Sequence, residues 1–578
     1  MKIPSDISSL GWPIVVVIGL LLLVMLLIGY ISYKRRVGLT TQEFFLANKT
    51  FGYLMLGLST FAIAYSGNSF LGYVAKSYRA GMMFLVFPAF MVAFVIGMIL
   101  VAPPLNNLTA HRGYVSPGDF IEDRFHSKVI TLLASLFMLW GLFVQFLEQF
   151  FAMGYLGQVS SGGVIPYTAV IIVFAVVMVV YTLLGGFRGS TIVAAIQGGI
   201  MVTSIAFVIL IIMHFGGLTH AVSVIQKVAP KKLLPPPGRV DITLLSIIVL
   251  VMLGAPVYPH ILQHLMAAKD QNNLKKMFAF QAPIYLFTAL MLFFLGIAGI
   301  ALFPHLGKLQ SDKVVPYIFG RAVGEMYGGY TIVTWAAVGV VMATLSTAGG
   351  TLITISMEIA KDIYKRFVNP NASERRTIMV GNVAIVVASV LAVIVALYPK
   401  LTIWRWTEVK FEILLQVGPA FYFGLYSSRI RRNSVLWGMI VGVVLSLGLT
   451  LSGHPKPWGL HAGMIGFLVN TLVVLMGSYL VKPDSETQEA RKLLELSRVE
   501  RGSESGRKQV FPVHHKSFWI ILVLLLLLSV PWYFPRSAHY SIVMGLPSWA
   551  FVIVLVLILM ALLAIIAPFK MWREEVKR

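Results

Sequence analysis

The chain has no cysteine and little charge. Without thiols, disulfides, thiolate catalysis and cysteine metal sites are excluded. Asp, Glu, Lys and Arg together make up 12% of the residues. That is about half the share of a soluble domain. Acidic residues are the scarcer kind, 23 against 46 Lys and Arg, which leaves a net charge of +23. What fills the 578 residues is apolar: 58% are hydrophobic. Water-facing surface needs more charge than this, so the composition excludes a soluble enzyme, a disordered chain and a small secreted scaffold. It points to an all-α polytopic membrane protein.

Fifteen stretches, from 11–33 to 546–568, are long and apolar enough to cross a bilayer. The first is no cleaved leader, because Lys34-Arg35-Arg36 follows it directly as a stop. That cluster predicts a multi-pass protein of the plasma (cytoplasmic) membrane with its N-terminus outside and its C-terminus inside. Alternation then puts 31 of the 46 Lys and Arg on the inside. The positive-inside bias accounts for the basic excess, and no nucleic-acid partner is implied. Asn107-Leu108-Thr109 matches a glycosylation sequon but falls on the inside in this orientation. Residues 482–516 are the single long polar stretch, with charges alternating in sign. They read as a solvated helix with internal ion pairs, or as a docking segment for a protein partner.

Two spans break their own rules. Span 51–75 carries Ala64-Tyr65-Ser66-Gly67-Asn68-Ser69 at mid-depth, and span 241–266 carries Gly254-Ala255-Pro256-Val257-Tyr258-Pro259-His260. Such backbone frees carbonyls, which a bilayer tolerates only beside protein or a wet cavity. Each break opens a set of five spans, 51–216 and 241–427. Five is odd, so the second set inserts upside down relative to the first. Paired broken helices in two inverted halves predict a secondary transporter with a site near the midplane. Around this core lie an extra N-terminal helix and first loop (1–50), further spans at 428–481, and two C-terminal spans with a tail (517–578).

Several polar residues stand at membrane depth. Span 331–358 carries Thr344, Ser346, Thr347, Thr351 and Thr354. Hydroxyls facing freed carbonyls suit a small hard cation. Gln145, Glu148 and Gln149 share one helix face in an apolar run. An ionisable group there is a candidate for proton coupling, cation balance or a structural bond. Glu412 is expected at an outer interface with Arg405 and Lys410, while Gln416 faces either the cavity or another helix. Ser66, Gly67, Asn68 and Tyr258 at the breaks are candidate substrate contacts. His260 and His264 lack the glutamate of a zinc-protease helix. No catalytic constellation, nucleophile motif or phosphate loop is present, so neither an enzyme nor a cofactor is expected.

These residues resemble the sodium/solute symporter family from about Phe44 to Gly442. The likeness rests on Phe44-Phe45-Leu46-Ala47, Tyr181-Thr182-Leu183-Leu184-Gly185-Gly186-Phe187 with Gln197, and Pro259-His260-Ile261-Leu262. It also rests on Leu345-Ser346-Thr347 with Asp362-Ile363-Tyr364, and on Gly418-Pro419 with Ser428-Arg429. Tyr65 to Gly72 is closest in look to the monocarboxylate-permease branch. The resemblance implies a LeuT-like five-plus-five inverted repeat, alternating access, and import of a small organic solute, a monocarboxylate or an amino acid. Sodium is the implied co-transported ion, with a proton, or no ion, as the alternative. A further alternative is a transporter-like sensor with a separate signalling partner. By matching motifs, the sodium ligands fall on the carbonyls of Ala62, Tyr65 and Ala343 and the hydroxyls of Ser346 and Thr347. Where members carry aspartates, this chain has Ala64 and Ala194. The implied cage has oxygens but no carboxylate.

Overall fold

The computed structural model describes residues 10–34, 51–501, 508–536 and 539–575. The Phe44–Ala47 motif, Arg35-Arg36 and residues 502–507 lie outside them. Eleven helices among the described residues are long and apolar enough to span a membrane. The helices used below are α1 (Trp12–Lys34), α2 (Tyr53–Ala64), α3 (Val74–Ala80), α4 (Val86–Arg112), α5 (Pro117–Phe125) and α6 (Lys128–Ser160). They continue with α7 (Tyr167–His214), α8 (Val240–Gly254), α9 (Pro259–Met266), α10 (Gln271–Leu302), α11 (Gly329–Met357), α12 (Glu374–Ala396) and α13 (Ile403–Leu414). Beyond the core are α14 (Arg432–Leu451), α15 (Ala462–Tyr479), α16 (Ser485–Ser497), α17 (Lys516–Leu528) and α18 (Ser548–Lys570).

Helical segment α7 holds two spans, Tyr167–Gly185 and Ser190–His214. Met178 and Ser190 both approach Gly349. A straight helix would separate them by about 18 Å, so the segment doubles back between them.

Both expected breaks are present. Helix α2 stops where Tyr65 turns extended (φ −84°, ψ 90°), and a π-helical turn, Ser69–Tyr73, leads into α3. Helix α8 ends in a 3-10 turn, Ala255–Val257, and Tyr258 is extended (ψ 131°). The residue before a proline is pushed out of the helical region. Pro259 then opens α9, where a missing N–H costs nothing. Each break is the first element of five crossings, which gives the inverted five-plus-five architecture.

Close helix contacts rest on glycine. On α4, a Cβ at Gly97 would stand 1.9 Å from the Met252 carbonyl oxygen of α8. Small residues let membrane helices approach this closely. Gly97→Leu should therefore destroy the monodisperse peak of detergent-solubilised protein in size-exclusion chromatography. An unchanged peak would show that α4 and α8 can part without harm.

The extension wraps the core. Helices α14 and α15 pack as a pair against α13, and α18 lies on α4 and α10. In the polar stretch, α16 buries Thr487, Ala490, Leu493 and Ser497 and packs on α4. Asn107, the sequon residue, is buried and donates to the Ser497 carbonyl at 2.9 Å. The segment read as a docking site thus has an internal partner on one face.

Candidate ion and substrate site

The first break faces the middle of α11. Ser346 Oγ donates to the carbonyls of Ala62 (2.7 Å) and Ala343 (3.1 Å). Thr347 Oγ1 donates to Ile63 (2.9 Å) and, more weakly, Ala62 (3.4 Å). The i, i+3, i+4 spacing of Ala343, Ser346 and Thr347 brings them to one helix face. Helix α2 ends here, so its last carbonyls lack intrahelical donors and take hydroxyls instead. With the hydroxyl protons turned away, the same oxygens can surround a hard cation. Ile63 joins the four clustered residues; the side chain of Tyr65, whose carbonyl the resemblance implies as a ligand, is fixed by its hydroxyl donating to the Tyr285 carbonyl at 2.8 Å.

The second break faces a buried ion pair. Lys410 of α13 is 2% exposed, and its Nζ lies 2.6 Å from Glu148 Oε2. Thr407 Oγ1 donates to Glu148 Oε1 (2.9 Å). Asn68 Nδ2 reaches Glu148 Oε2 (3.1 Å) and Thr407 (2.6 Å). Lys410 also donates to Gln145 Oε1, which the Tyr258 hydroxyl approaches at 3.5 Å. Gly67 donates its N–H to Gln149 at 3.0 Å. A Cβ on Gly67 would stand 2.4 Å from Thr344 Oγ1, so the broken helix reaches α11 and α6 only as glycine. Of the predicted substrate contacts, Asn68, Gln145, Glu148 and Tyr258 thus form one network.

Between the breaks is a cavity of about 30 Å³, bordered by Ser66, Tyr73, Gln145, Tyr258, His260 and Lys410. It has room for water but not for an organic solute. Above it opens a vestibule of about 880 Å³. Six cations border this vestibule, Lys76, Arg79, Lys308, Lys400, Arg405 and Lys456, against one carboxylate, Glu408. Trp404 at its base meets Tyr73 at the cavity edge, ring centroids 5.6 Å apart. These two rings separate vestibule from cavity, so the chain is occluded on that side. Arg79 pairs with Asp312 at 2.7 Å, and Asp312 accepts from the Ile403 amide at 3.0 Å. That tie holds α3 against the start of α13. Burial pushes the Asp312 carboxyl up, against the pull of Arg79.

The opposite end is closed by ion pairs between α5 and the π-helical continuation of α11, Glu358–Val368. Arg366 bonds Asp119 (2.8 Å), Glu122 (2.9 Å) and Asp362 (3.3 Å), and Lys361 bonds Asp119. Burial pushes Asp119 up. Lys361, the Val115 amide and Arg366 outweigh that and hold it below the usual carboxylate range.

Residues 44–442, more than two thirds of the chain, match the sodium:solute symporter family. The chain belongs to that family. Among its relatives, the osmoregulated proline transporter OpuE of Bacillus subtilis (strain 168) is 25% identical over 488 residues, covering 81% of this chain and 95% of OpuE. The sodium/pantothenate symporter of Escherichia coli (strain K12) is 25% identical over 467 residues, 76% and 92% of the two chains. The fold is shared with a Na+-coupled sialic acid symporter at a TM-score of 0.67 and 18% identity, over 82% of this chain and 99% of that one. In this symporter-family member the described helices supply the five-plus-five core, with α14 to α18 added.

Of its two expected orientations, Gln416 takes the one toward another helix. Gln416 does not reach the cavity. Its amide donates to the Glu412 (3.1 Å) and Gly463 (2.9 Å) carbonyls, and it receives Asn470. It lies four residues after Glu412, so it shares the face that packs on α14 and α15. Lys410 is not at an outer interface. Arg405 does pair with Glu412 (3.4 Å) and Glu408 (2.9 Å). Lys410 points the other way, beside Thr407. The signal was available: a lysine inside a span, in a protein with an intramembrane glutamate needing a cation.

Proposed function

We propose that this protein couples sodium entry to import of a small organic monocarboxylate. The observation that carries the substrate class is Lys410, a buried cation at the cavity beneath a vestibule of six cations. Such a mouth concentrates anions and repels cations. A zwitterion would gain less from it than a net anion does. The substrate carboxylate takes a hydrogen bond from Lys410 beside Gln145 and Tyr258, while the broken ends of α2 and α9 border the rest of it. Sodium binds the oxygens of Ala62, Ala343, Ser346 and Thr347 and ties α11 to α2. By linkage, sodium raises substrate affinity and substrate raises sodium affinity by the same factor. The vestibule faces outward in this reading, as the lysine and arginine bias of the loops supports. Opening of Tyr73 from Trp404 admits both ligands. Release of the Asp119–Arg366 end lets them leave.

The test is uptake into proteoliposomes of purified protein. Labelled short monocarboxylates should enter under an inward sodium gradient and not with choline in its place. Unlabelled carboxylates should compete, and their uncharged amides should not. Equal competition by amides, or preference for amino acids, would sink the anion reading.

A further inference from the structure

The helix face that carries Thr347 continues past the sodium cage as a file of oxygens. Thr351, Thr354, Glu358 and Asp362 follow at steps of four, three, four and four, and all are buried. At Glu358 the α-helix widens into π-helical turns that run to Val368. Such widening recurs where a helix presents functional groups. Glu358 is 0% exposed, and neither of its carboxylate oxygens has a hydrogen-bond partner. Ser135 of α6 faces it, equally buried, and is the side chain placed to donate to it. Asp362 accepts from Ser116 (2.7 Å) and pairs with Arg366 (3.3 Å) through one oxygen, and its other oxygen is unpartnered.

Charge counting sharpens the point. Four carboxylates, Asp119, Glu122, Glu358 and Asp362, lie along this contact with two cations, Lys361 and Arg366. Both cations are engaged by Asp119, Glu122 and Asp362. Among the described residues no ion pair reaches Glu358. A buried carboxylate with no counter-ion must take up a proton or a cation. The free oxygens beside it, Ser135 Oγ and Asp362 Oδ2, suit a hard cation, while Arg366 Nη1 next to Asp362 is a free nitrogen. No trio of His, Cys, Asp or Glu converges among the described residues, so a transition metal is not served.

We propose that Glu358, Asp362 and Ser135 form a second sodium site, at the end of the path an ion follows from the cage along α11. The cage lacks a carboxylate, and this site supplies one some eleven residues further, about 16 Å along the helix. A sodium ion here halves the negative excess of these ion pairs and keeps that end closed. The proposal rests on the reading above only for the identity of the ion.

The test is equilibrium binding of sodium-22 to the purified full-length protein at pH 7.5, in choline chloride. Wild type should bind two ions. Glu358→Gln should bind one, and so should the Ser346→Ala, Thr347→Ala pair. Glu358→Asp should keep two. If Glu358→Gln loses its size-exclusion peak, Ser135→Ala serves instead and should weaken one site at least tenfold. One ion in wild type, or two in Glu358→Gln, overturns the second site. A wild-type count of one that changes with Glu358 only through pH assigns the group to a proton and overturns it equally. Loss with Glu358→Gln but not with the Ser346, Thr347 pair would sink the cage and leave this site standing.

Discussion

Lys410→Met should lower kcat/KM for carboxylate uptake ten- to hundredfold, the worth of about 1.5–3 kcal/mol for a hydrogen bond to a charged group. It should also lower the thermal midpoint sharply. Removing one partner of a buried ion pair leaves the other uncompensated, at a cost of about 3–5 kcal/mol. Glu148 still keeps Thr407 and Asn68 as donors, so the loss falls at the lower end. Adding Glu148→Gln to Lys410→Met should recover most of the stability and none of the uptake. Thermal unfolding of the three variants reads the first half, and proteoliposome uptake the second. A double variant that transports carboxylates at the wild-type rate would remove Lys410 from recognition. A single variant as stable as wild type would mean that Glu148 is already neutral in the protein.

Ser346→Ala with Thr347→Ala should raise the sodium concentration for half-maximal uptake more than tenfold. It removes two oxygens from a cage that has no carboxylate to compensate. Each hydroxyl also satisfies a carbonyl freed by the α2 break, so a stability loss of about 1 kcal/mol apiece should accompany it. Thr347→Ser keeps the oxygen and should keep the sodium dependence. Sodium titration of uptake at saturating substrate checks both. An unchanged half-maximal concentration in the double variant would place coupling elsewhere in the chain.

The breaks were legible because the bilayer punishes free backbone. Ala64 to Ser69 and Pro256 to Pro259 have no other reason to sit inside apolar spans, and both helices do stop there. Ser346 and Thr347 were singled out by the family resemblance, and their i+3 and i+4 spacing from Ala343 is what lets all three turn to one side of α11. Lys410 was not read correctly, because α13 mixes four charges within eight residues. Arg405, Glu408 and Glu412 recur at helical spacing and form one polar face. Lys410 sits well round the helix, with Thr407, and only the packing of α13 on α6 shows which face is inward. Gln416 stayed open between cavity and neighbouring helix for the same reason: rotation about a helix axis decides, and apolar surroundings on every side hide it. Glu358 gave no sequence signal beyond an acid near a span end. Its isolation follows from where Lys361 and Arg366 direct their charge.

The pairing of Lys410 with Glu148 also bears on what the membrane voltage can do. The two cancel each other's charge, and the cage around Ser346 consists of neutral oxygens. If the proposed carboxylate crosses with the cage sodium alone, it adds nothing to that sum, and the resting potential then performs no net work on the translocation. A neutral solute accompanied by one sodium would instead be drawn inward with about 2.3 kcal/mol for each 100 mV. The side chains of a single cavity thereby decide which cellular battery is tapped: the ion gradient alone, or the gradient and the electric field together.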